Sequence, residues 1–305
     1  MKDIEVVIIN FNTSKYTVQC VNSVLEKTDP SLTFRIIVVD NASNTNDLNF
    51  LREKLPSEEN VILIESRVNT GFGGGNMEGF NHTNAKYTLF LNNDAFLQND
   101  CLRILYDFME SHPEAGVATA QNYDENGNFV ISFDHYKGLR KLILGRSFLE
   151  NGDPEKYPER KTQYQQPVEV NWVNGAFMFF RTEDFKNAGG FDTRIFLYCE
   201  EMDICHRLSK INKKTFLVPE ARITHYQAKS TGNNHRLNQE GLISYLYMIR
   251  KNFGYSKYIL TKTYLISTYA VKPKRWKFFK VLLTSKPEKY SLRPETISTT
   301  TSDNQ

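Results

Sequence analysis

The stretch "LFLNNDAF", residues 89–96, changes character in its middle. Its first three residues form an apolar run that is typical of a strand covered on both faces. Asn92, Asn93 and Asp94 follow directly. This polar triplet predicts either an ordinary turn at the end of a strand or a binding site, because a carboxylate near the core needs a cation or several hydrogen-bond donors.

Three similar apolar runs precede this stretch: "IEVVIIN" (4–10), "FRIIVVDNAS" (34–43) and "VILIES" (61–66). Between the first two, "SKYTVQCVNSVLEKT" (14–28) has apolar residues at helical spacing. Strands that alternate with helices predict an α/β fold with a doubly wound, mostly parallel sheet.

Polar residues stand at the carboxyl end of each predicted strand, where such sheets bind their ligands. We therefore expect these residues to meet at one rim of the sheet. They are Asn10 and Asn12, Asp40 and Asn41, the loop Arg67–Gly75, and Asn92–Asp94.

The composition is that of a soluble globular protein of one large domain or two modest ones. The chain has 305 residues, of which 40% are apolar and 24% charged. Its four cysteines show no paired spacing, which predicts reduced thiols. Neither a leader segment nor a membrane-spanning run is apparent, so a cytoplasmic location is predicted.

The charge is divided unevenly along the chain. From Tyr245 onward there are 12 Lys/Arg and 3 Asp/Glu, whereas the rest has 26 Lys/Arg and 32 Asp/Glu. Residues 236–283 have a helical, basic pattern, and in "KPKRWKFFKVLL" (272–283) lysines alternate with aromatic residues. This segment predicts either a contact with an anionic membrane surface or a basic helix packed on the main domain. No nucleic-acid-binding signature accompanies the charge, and nothing indicates an oligomeric state.

The segment "NTGFGGGNMEGFNHT" (69–83) reads as a glycine-rich loop that runs into a helix. A dinucleotide fingerprint is disfavoured, because five residues separate the preceding strand from the glycines and that strand is the third of the chain. Two interpretations stay open: close approach of the backbone to a phosphate or sugar, or a tight turn that packs the helix. The first would involve Arg67, Asn69, Gly71, Gly73, Gly74 and Asn76.

The acidic residues also admit two interpretations each. Asp40 with Asn41 is good turn chemistry, but a carboxylate there can also accept a hydrogen bond from the imide N–H of a base. Asp94 suits a turn or, beside phosphate-binding glycines, a hard divalent cation that bridges a diphosphate.

A second acidic group lies in "CEEMDICHR" (199–207). Asp203 and Arg207 are spaced for an ion pair within a helix. Glu200 and Glu201 are favoured at a helix start, and two adjacent acids can also supply a general base with a raised pKa. His225 is either structural or, together with residues 230–231, part of a metal or phosphate site.

Taken in order, the motifs resemble the family 2 inverting glycosyltransferases of the GT-A type, over about residues 4–231. The glycine-rich form is similar to the branch that contains bacterial rhamnosyltransferases of cell-surface polysaccharide synthesis. The motifs are "VVIINFN", "VVDNAS", "NTGFGGGN", "LFLNNDA", "WVNGAFMFFR", "GGFDTRIFLYCEEMDICHRL" and "ITHYQAKST".

The resemblance implies a role for each matching position. Asp40 would read the nucleotide base in a pocket lined by Asn10 and Asn12. Asp94 would bind Mg²⁺ or Mn²⁺, with His225 holding metal and diphosphate. Glu201 would be the base that activates the acceptor, and the acceptor wall would comprise Trp172, Asn174, Gly175 and Ala176.

Two positions depart from the family pattern. Asn92 replaces a frequent acid, which should weaken or relax metal binding. Glu201 replaces an aspartate and is one methylene longer, so Glu200 or Asp203 remains an alternative base.

The implied activity is inverting transfer of a sugar from a nucleotide-diphospho-sugar to a hydroxyl of a glycan or a lipid-linked glycan. dTDP-rhamnose is the first expectation for the donor and a UDP-sugar the second. We expect a catalytic domain over 1–235, with a nucleotide-sugar half (1–100) and an acceptor half (101–235). A helical extension over 236–290 would contact the inner face of the plasma membrane, mainly through 245–290, and a disordered tail would cover 291–305.

Two other classes of function lead to different expectations. A nucleotidyltransferase that makes nucleotide sugars should carry a glycine-rich, Lys/Arg-bearing phosphate loop after the first strand, where "NFNTSKYT" (10–17) stands. A non-catalytic module that binds sugar nucleotides or glycans would tolerate the substitution Glu201→Gln without functional change.

Overall fold

The computed structural model describes residues 2–226 and 235–294. The predicted tail 291–305 falls mostly outside these residues, as do positions 230–231. The strands are β1 (Lys2–Asn10), β2 (Phe34–Asp40), β3 (Val61–Glu65), β4 (Ala85–Asn92), β5 (Ala95–Leu97), β6 (Ala115–Tyr123), β7 (Phe129–Val130), β8 (Phe133–Asp134), β9 (Val168–Val170), β10 (Trp172–Val173), β11 (Phe177–Arg181) and β12 (Lys214–His225). The α-helices are α1 (Ser14–Lys27), α2 (Thr45–Lys54), α3 (Gly71–Phe80), α4 (Cys101–Ser111), α5 (Leu139–Leu144), α6 (Arg146–Gly152), α7 (Thr182–Asn187), α8 (Glu200–Lys210), α9 (His235–Phe253), α10 (Tyr255–Ala270) and α11 (Phe279–Leu283). Short 3₁₀ helices cover Pro273–Phe278 and Pro287–Tyr290.

The main sheet has the strand order β3-β2-β1-β4-β11-β6-β12-β5. Strands β1, β2, β3 and β4 are parallel to one another, as are β6 and β12, whereas β11 and β5 run antiparallel to their neighbours. The prediction of a doubly wound, mostly parallel sheet is confirmed. Asn10 pairs with Asp40, and Ile9 with Asn92, so the carboxyl ends of β1, β2 and β4 form one rim.

The apolar runs are continuous because both faces of the sheet are covered. Val6 and Ile8 of β1 lie in one hydrophobic cluster with residues of α1 and α4, and Val7 lies in a second one with Phe90 and Phe185. Alternate side chains of a strand point to opposite faces, so each face receives its own apolar set. The second cluster packs several phenylalanine rings between the sheet and the segment that leads into α8.

The middle of the chain is more regular than its sequence suggests. Residues 115–170 lack a clear pattern, but β6 is a buried strand at the centre of the sheet, between β11 and β12. The sequence of residues 215–231 predicts a strand, a turn, a second strand and a loop. The predicted turn is wrong, because β12 continues as one strand to His225, with an irregularity in its register between Val218 and Arg222. Residues 135–167 mix basic, aromatic and turn residues, a pattern that predicts a surface excursion, and this stretch contains the short helices α5 and α6.

The helical C-terminal part is packed against the rest of the protein. α9, α10 and α11 share a hydrophobic cluster that includes Met202 of α8, Trp172 of β10 and Cys199. Within the described residues, no helix is long and apolar enough to cross a membrane.

Candidate active site

The rim of the sheet is organised around Asn10, which is fully buried. Its Nδ2 donates to Asp40 Oδ1 at 2.8 Å and to Asp47 Oδ2 at 2.9 Å. Its Oδ1 accepts a hydrogen bond from Thr17 Oγ1 at 2.7 Å. Asn10 therefore joins the end of β2 to the first turns of α1 and α2, and its polar atoms are engaged within the protein.

Asp40 and Asn12 are likewise engaged in the loops of the rim. The second oxygen of Asp40 accepts from the backbone N–H of Ser43 at 3.0 Å, and Asp40 is fully buried. Asn12 adopts a left-handed backbone (φ 57°), and its Oδ1 accepts from the backbone N–H of Asn44 at 2.9 Å. These contacts are those of a strand-end turn, and recognition of a nucleotide base by Asp40 stays a prediction.

Asn41 fixes the loop between β3 and α3 on the end of β2. Its Oδ1 accepts from the backbone N–H of Thr70 at 3.0 Å, and its Nδ2 donates to the carbonyl of Gly71 at 3.0 Å and to Asn69 Oδ1 at 3.2 Å. Arg67 lies exposed on this loop. Asn41 thus sets the position at which α3 begins.

The glycines lie inside α3 rather than in a loop before it. Gly71 has φ +78°, and a Cβ at this position would lie 1.9 Å from the carbonyl oxygen of Phe196. A Cβ on Gly73 would lie 3.5 Å from Glu200 Cγ. Gly74 and Asn76 are buried in the same helix. The geometry favours the packing interpretation, because it brings α3 against the residues that lead into α8.

Asp94 and His225, the two predicted metal ligands, lie side by side. Asp94 Oδ1 is 3.3 Å from His225 Nε2, and both residues are buried. The register of β5 on β12 pairs Ala95 with His225, and the N–H of Tyr226 donates to the carbonyl of Asp94 at 3.0 Å. His225 Nδ1 is buried and has no hydrogen-bond partner in the described part of the chain.

The donor set at this pair fits a sparsely ligated divalent cation. No third His, Cys, Asp or Glu completes a metal-binding group within residues 2–226 and 235–294. Mg²⁺ typically takes one or two carboxylates from a protein and its other ligands from phosphate and water. Asn93 Nδ2 is already bound to Thr13 Oγ1 at 2.7 Å and Thr17 Oγ1 at 2.8 Å, so Asp94 supplies the negative charge of the triplet.

Glu200 and Glu201 open α8 after two residues in the left-handed region, Tyr198 (φ 71°) and Cys199 (φ 74°). Burial, together with the charge of Glu201, raises the pKa of Glu200 well above its usual value. Glu200 Oε1 has no partner among the described residues. Burial raises the pKa of Glu201 to about 7. Two adjacent carboxyl groups at the start of α8 therefore both have raised pKa values.

Asp203 has a different environment, although it is only one helical turn away. Its Oδ2 accepts from Arg207 Nη2 at 2.7 Å and from Lys251 Nζ at 2.9 Å, and its Oδ1 accepts from Asn252 Nδ2 at 2.7 Å. The carboxylate is buried and fully paired, as the ion-pair interpretation predicts.

The predicted acceptor wall, residues 172–176, lies next to the triplet 92–94 and also contacts the cluster that contains Cys199, directly before α8. The N–H of Asn92 donates to the carbonyl of Ala176 at 2.9 Å, which joins the wall to the triplet 92–94. Asn174 Oδ1 accepts from the N–H of Ala176 at 2.9 Å, and a Cβ on Gly175 would lie 3.5 Å from the ring of Phe72. Trp172 packs in the hydrophobic cluster that contains Cys199.

The sequence did not reveal the residues of α9 that hold residues 192–203. Ser244 Oγ donates to the carbonyl of Leu197 at 2.8 Å, Tyr247 Oη donates to Asp192 Oδ2 at 2.9 Å, and Lys251 bridges Asp192 and Asp203. These three positions recur at the spacing of one helix face, which was the available signal.

Comparison with known proteins defines the class. The model of the family "Glycosyl transferase family 2" matches residues 5–188. The chain belongs to this family.

Two relatives are rhamnosyltransferases. The chain is 31% identical over 201 residues to rhamnosyltransferase WbbL of Escherichia coli (strain K12), covering 63% of this chain and 73% of the relative. It is 26% identical over 219 residues to N-acetylglucosaminyl-diphospho-decaprenol L-rhamnosyltransferase of Mycobacterium tuberculosis (strain CDC 1551 / Oshkosh), covering 65% and 68%. The predicted relation to bacterial rhamnosyltransferases is confirmed.

Solved structures agree on the fold. GalNAc-T7 with UDP, GalNAc and Mn²⁺ superposes with a TM-score of 0.59 at 16% identity, over 82% of this chain and 48% of that one. The mannosyltransferase PcManGT from Pyrobaculum calidifontis, in complex with GDP-Man and Mn²⁺, gives 0.55 at 13% identity, over 82% and 66%. The present chain thus spans about half of the first structure and two thirds of the second. The fold is of the GT-A type.

Proposed function

We propose that this glycosyltransferase moves a sugar, with inversion, from a nucleotide-diphospho-sugar to a hydroxyl of a glycan or lipid-linked glycan. The observation that carries the proposal is the half-buried Glu201, whose pKa of about 7 suits a general base at neutral pH. Glu201 opens α8, which follows the segment packed against α3.

In the proposed reaction, Glu201 takes the proton of the acceptor hydroxyl as that oxygen attacks the anomeric carbon. The attack comes from the face opposite the diphosphate, the bond from carbon to the diphosphate oxygen breaks, and a single displacement inverts the anomeric centre. Asp94 and His225 would hold Mg²⁺ or Mn²⁺, which when bound would offset the negative charge of the departing diphosphate. The Mn²⁺ named in two solved structures of this fold supports the proposal of a divalent cation.

The neighbouring acids distinguish themselves from Glu201 by their surroundings. Asp203 already accepts hydrogen bonds from two cations and an amide, so a proton taken up there would disrupt the ion-pair cluster. Glu200 is almost completely buried, and burial together with the charge of Glu201 raises its pKa well above the usual value, so an acceptor hydroxyl has less access to it than to Glu201. Glu201 combines access with a suitable pKa.

Donor and acceptor are proposed from the named activities of the relatives. Both transfer rhamnose, which supports dTDP-rhamnose ahead of a UDP-sugar. The name of the mycobacterial relative specifies a diphospho-decaprenol acceptor, which supports a lipid-linked glycan. Such an acceptor would place the enzyme at the cytoplasmic face of the membrane, in cell-surface polysaccharide synthesis.

The test is release of nucleoside diphosphate from dTDP-, UDP- and GDP-sugars with Mg²⁺, Mn²⁺ or EDTA. We expect metal-dependent release from one donor by the wild type, loss of release in Asp94→Ala, and unchanged release in the control Asp107→Asn on the exposed face of α4. Release of pyrophosphate from a nucleoside triphosphate and a sugar phosphate would instead indicate a nucleotidyltransferase. Donor binding without turnover, unaffected by Glu201→Gln, would indicate a binding module.

A further inference from the structure

The outer face of α10 and the segment after it exposes large apolar side chains. Leu260 is 58% exposed, Val271 78% and Trp276 56%, whereas Tyr258 and Leu265 on the other side of α10 are buried. Leu260 and Val271 lie on one helical stripe, three turns apart. Several large apolar side chains that are exposed on the same side of the protein indicate a contact surface, whereas single exposed apolar residues do not.

A second exposed apolar group lies next to this stripe. Ile143, Leu144 and Phe148 of α5 and α6 are 59%, 49% and 50% exposed. Tyr264 Oη of α10 donates to the carbonyl of Leu142 at 2.7 Å, which fixes α5 beside the stripe. Two elements that are distant in sequence thus contribute apolar side chains to adjoining surfaces.

The segment after α10 adds positive charge to these apolar residues. Residues 271–280 contain five basic residues and no acidic one. Among the ion pairs of the described chain, none involves these five, and several of them lie over aromatic rings of the same region. Unpaired cations beside apolar and aromatic side chains complement an anionic lipid surface, because lipid headgroups supply the counter-charges and acyl chains accept the apolar groups. The basic residues are Lys272, Lys274, Arg275, Lys277 and Lys280.

This surface is connected to the acceptor side of the active site. The hydrophobic cluster beneath it includes Leu142, Tyr264 and Phe278, and the same cluster includes Trp172 and Cys199. A surface that docks on lipid would therefore be joined by continuous packing to the acceptor wall.

We propose that the outer side of α5, α6, α10 and residues 271–283, hereafter the lipid-docking face, binds an anionic bilayer and presents the enzyme to its acceptor. The inference deepens the proposed function, since it rests on a lipid-linked acceptor. It adds α5 and α6, which the basic C-terminal pattern alone does not indicate. The helices lie in the interface without crossing it, as amphipathic basic segments do.

The experiment is sedimentation of the full-length protein with vesicles of phosphatidylglycerol and phosphatidylcholine, compared with phosphatidylcholine alone. We expect binding to the anionic vesicles that weakens with salt. The charge variant Lys274→Gln/Arg275→Gln/Lys277→Gln should bind roughly tenfold or more weakly. The apolar variant Ile143→Ser/Leu144→Ser/Phe148→Ser should also bind roughly tenfold more weakly. The control Ile211→Ser, an exposed apolar position at the end of α8, should bind like wild type.

Three results would overturn the inference. The first is that the wild type does not bind anionic vesicles, and the second is that the apolar variant binds them as tightly as the wild type does. The third is that the protein forms a dimer in solution and the apolar substitutions dissociate it, which would assign the face to a second copy. Circular dichroism shows whether each variant is folded.

The donor assay separates this inference from the proposed function. If vesicle binding fails while donor turnover persists, only the lipid-docking face is wrong. If no donor is turned over while both variants lose vesicle binding, the face stands and the proposed chemistry fails. When both hold, the charge variant should release nucleoside diphosphate from donor alone at the wild-type rate and transfer sugar more slowly to acceptor in vesicles.

Discussion

At the scale of single residues, the molecule gives three neighbouring acids three different environments. Asp203 is surrounded by donors, Glu200 is buried with an oxygen that lacks a partner in the described chain, and Glu201 is half-buried. Desolvation destabilises a carboxylate and cationic partners stabilise it, so the same chemical group forms an ion pair at one position and has a raised pKa at another.

The first prediction concerns Glu201. Glu201→Gln should lower turnover about 10³-fold while donor affinity is retained, because general-base catalysis is lost and the donor pocket is not touched. In the wild type, kcat/KM should rise with pH through about 7, since the carboxylate is the active form, and this limb should be absent from the variant. Steady-state kinetics from pH 5 to 9 and donor titration measure both. If Glu200→Gln rather than Glu201→Gln removes the limb, the base has been assigned to the wrong residue.

The second prediction concerns the stability effect of Glu200. A raised folded-state pKa means that the folded protein holds the proton more tightly than the unfolded chain, whose glutamates have a pKa of about 4.3. The contribution of Glu200 to stability should therefore be fully present below that value and be lost as pH rises through the raised pKa of the folded state. Glu200→Gln should be more stable than wild type by about 1–2 kcal/mol at pH 8 and similar to it at pH 4.5. Urea denaturation at the two pH values tests this, and equal gains at both would contradict it.

At the scale of elements, helix α3 can lie against the backbone of Phe196 only because its first residue, Gly71, has no side chain. Gly71→Ala would place a methyl group 1.9 Å from the Phe196 carbonyl oxygen at a left-handed backbone position. We expect a loss of about 2–4 kcal/mol in the free energy of unfolding. Gly152→Ala, at the end of α6 where a Cβ has no neighbour within 4 Å, is the matched control and should be nearly neutral. Chemical denaturation measures the stability of both variants. Similar losses in Gly71→Ala and Gly152→Ala would show that α3 can move to accommodate the added methyl group.

The parallel half of the sheet was predictable because its strands are continuous β-branched and aromatic runs with turn residues at their ends. β6, "AGVATAQNY", was not, because alanine, glycine and threonine carry little strand signal and its burial depends on both neighbouring strands. The motif order indicated Asp94 and His225, but their proximity depends on the pairing of β5 with β12, which no local pattern encodes.

Helix α9 stabilises residues 192–203 through Lys251, which bridges Asp192 and Asp203. Lys251→Met keeps the length of the side chain and removes its charge, and it should cost about 1–3 kcal/mol because two buried carboxylates lose a partner. Lys257→Met on the exposed side of α10 is the control. We expect kcat to decrease more than donor affinity in Lys251→Met. If Lys251→Met is as stable as the control, Arg194 and Arg207 are sufficient to stabilise the carboxylates of Asp192 and Asp203.

At the scale of the whole molecule, the last described residues connect helix α9 to the residues that precede α8. Ser291 Oγ and the N–H of Leu292 donate to the two oxygens of Glu240 at 2.8 and 2.7 Å, and Arg293 Nη2 donates to the carbonyl of Thr193 at 2.8 Å. Glu240 is buried in α9. The last described segment thus joins α9 to the residues that lead into α8.

These contacts predict that stability changes abruptly when the chain is shortened past residues 291–293. A protein that ends after Lys286 leaves the buried carboxylate of Glu240 without either donor and frees the carbonyl of Thr193, so it should be less stable by about 2–4 kcal/mol and lose activity at lower temperature. A protein that ends after Pro294 keeps every one of these contacts and should match wild type. Denaturation curves and temperature-dependent donor turnover measure the difference. Equal stability of the two shortened proteins would mean that α9 holds residues 192–203 through Ser244, Tyr247 and Lys251 alone.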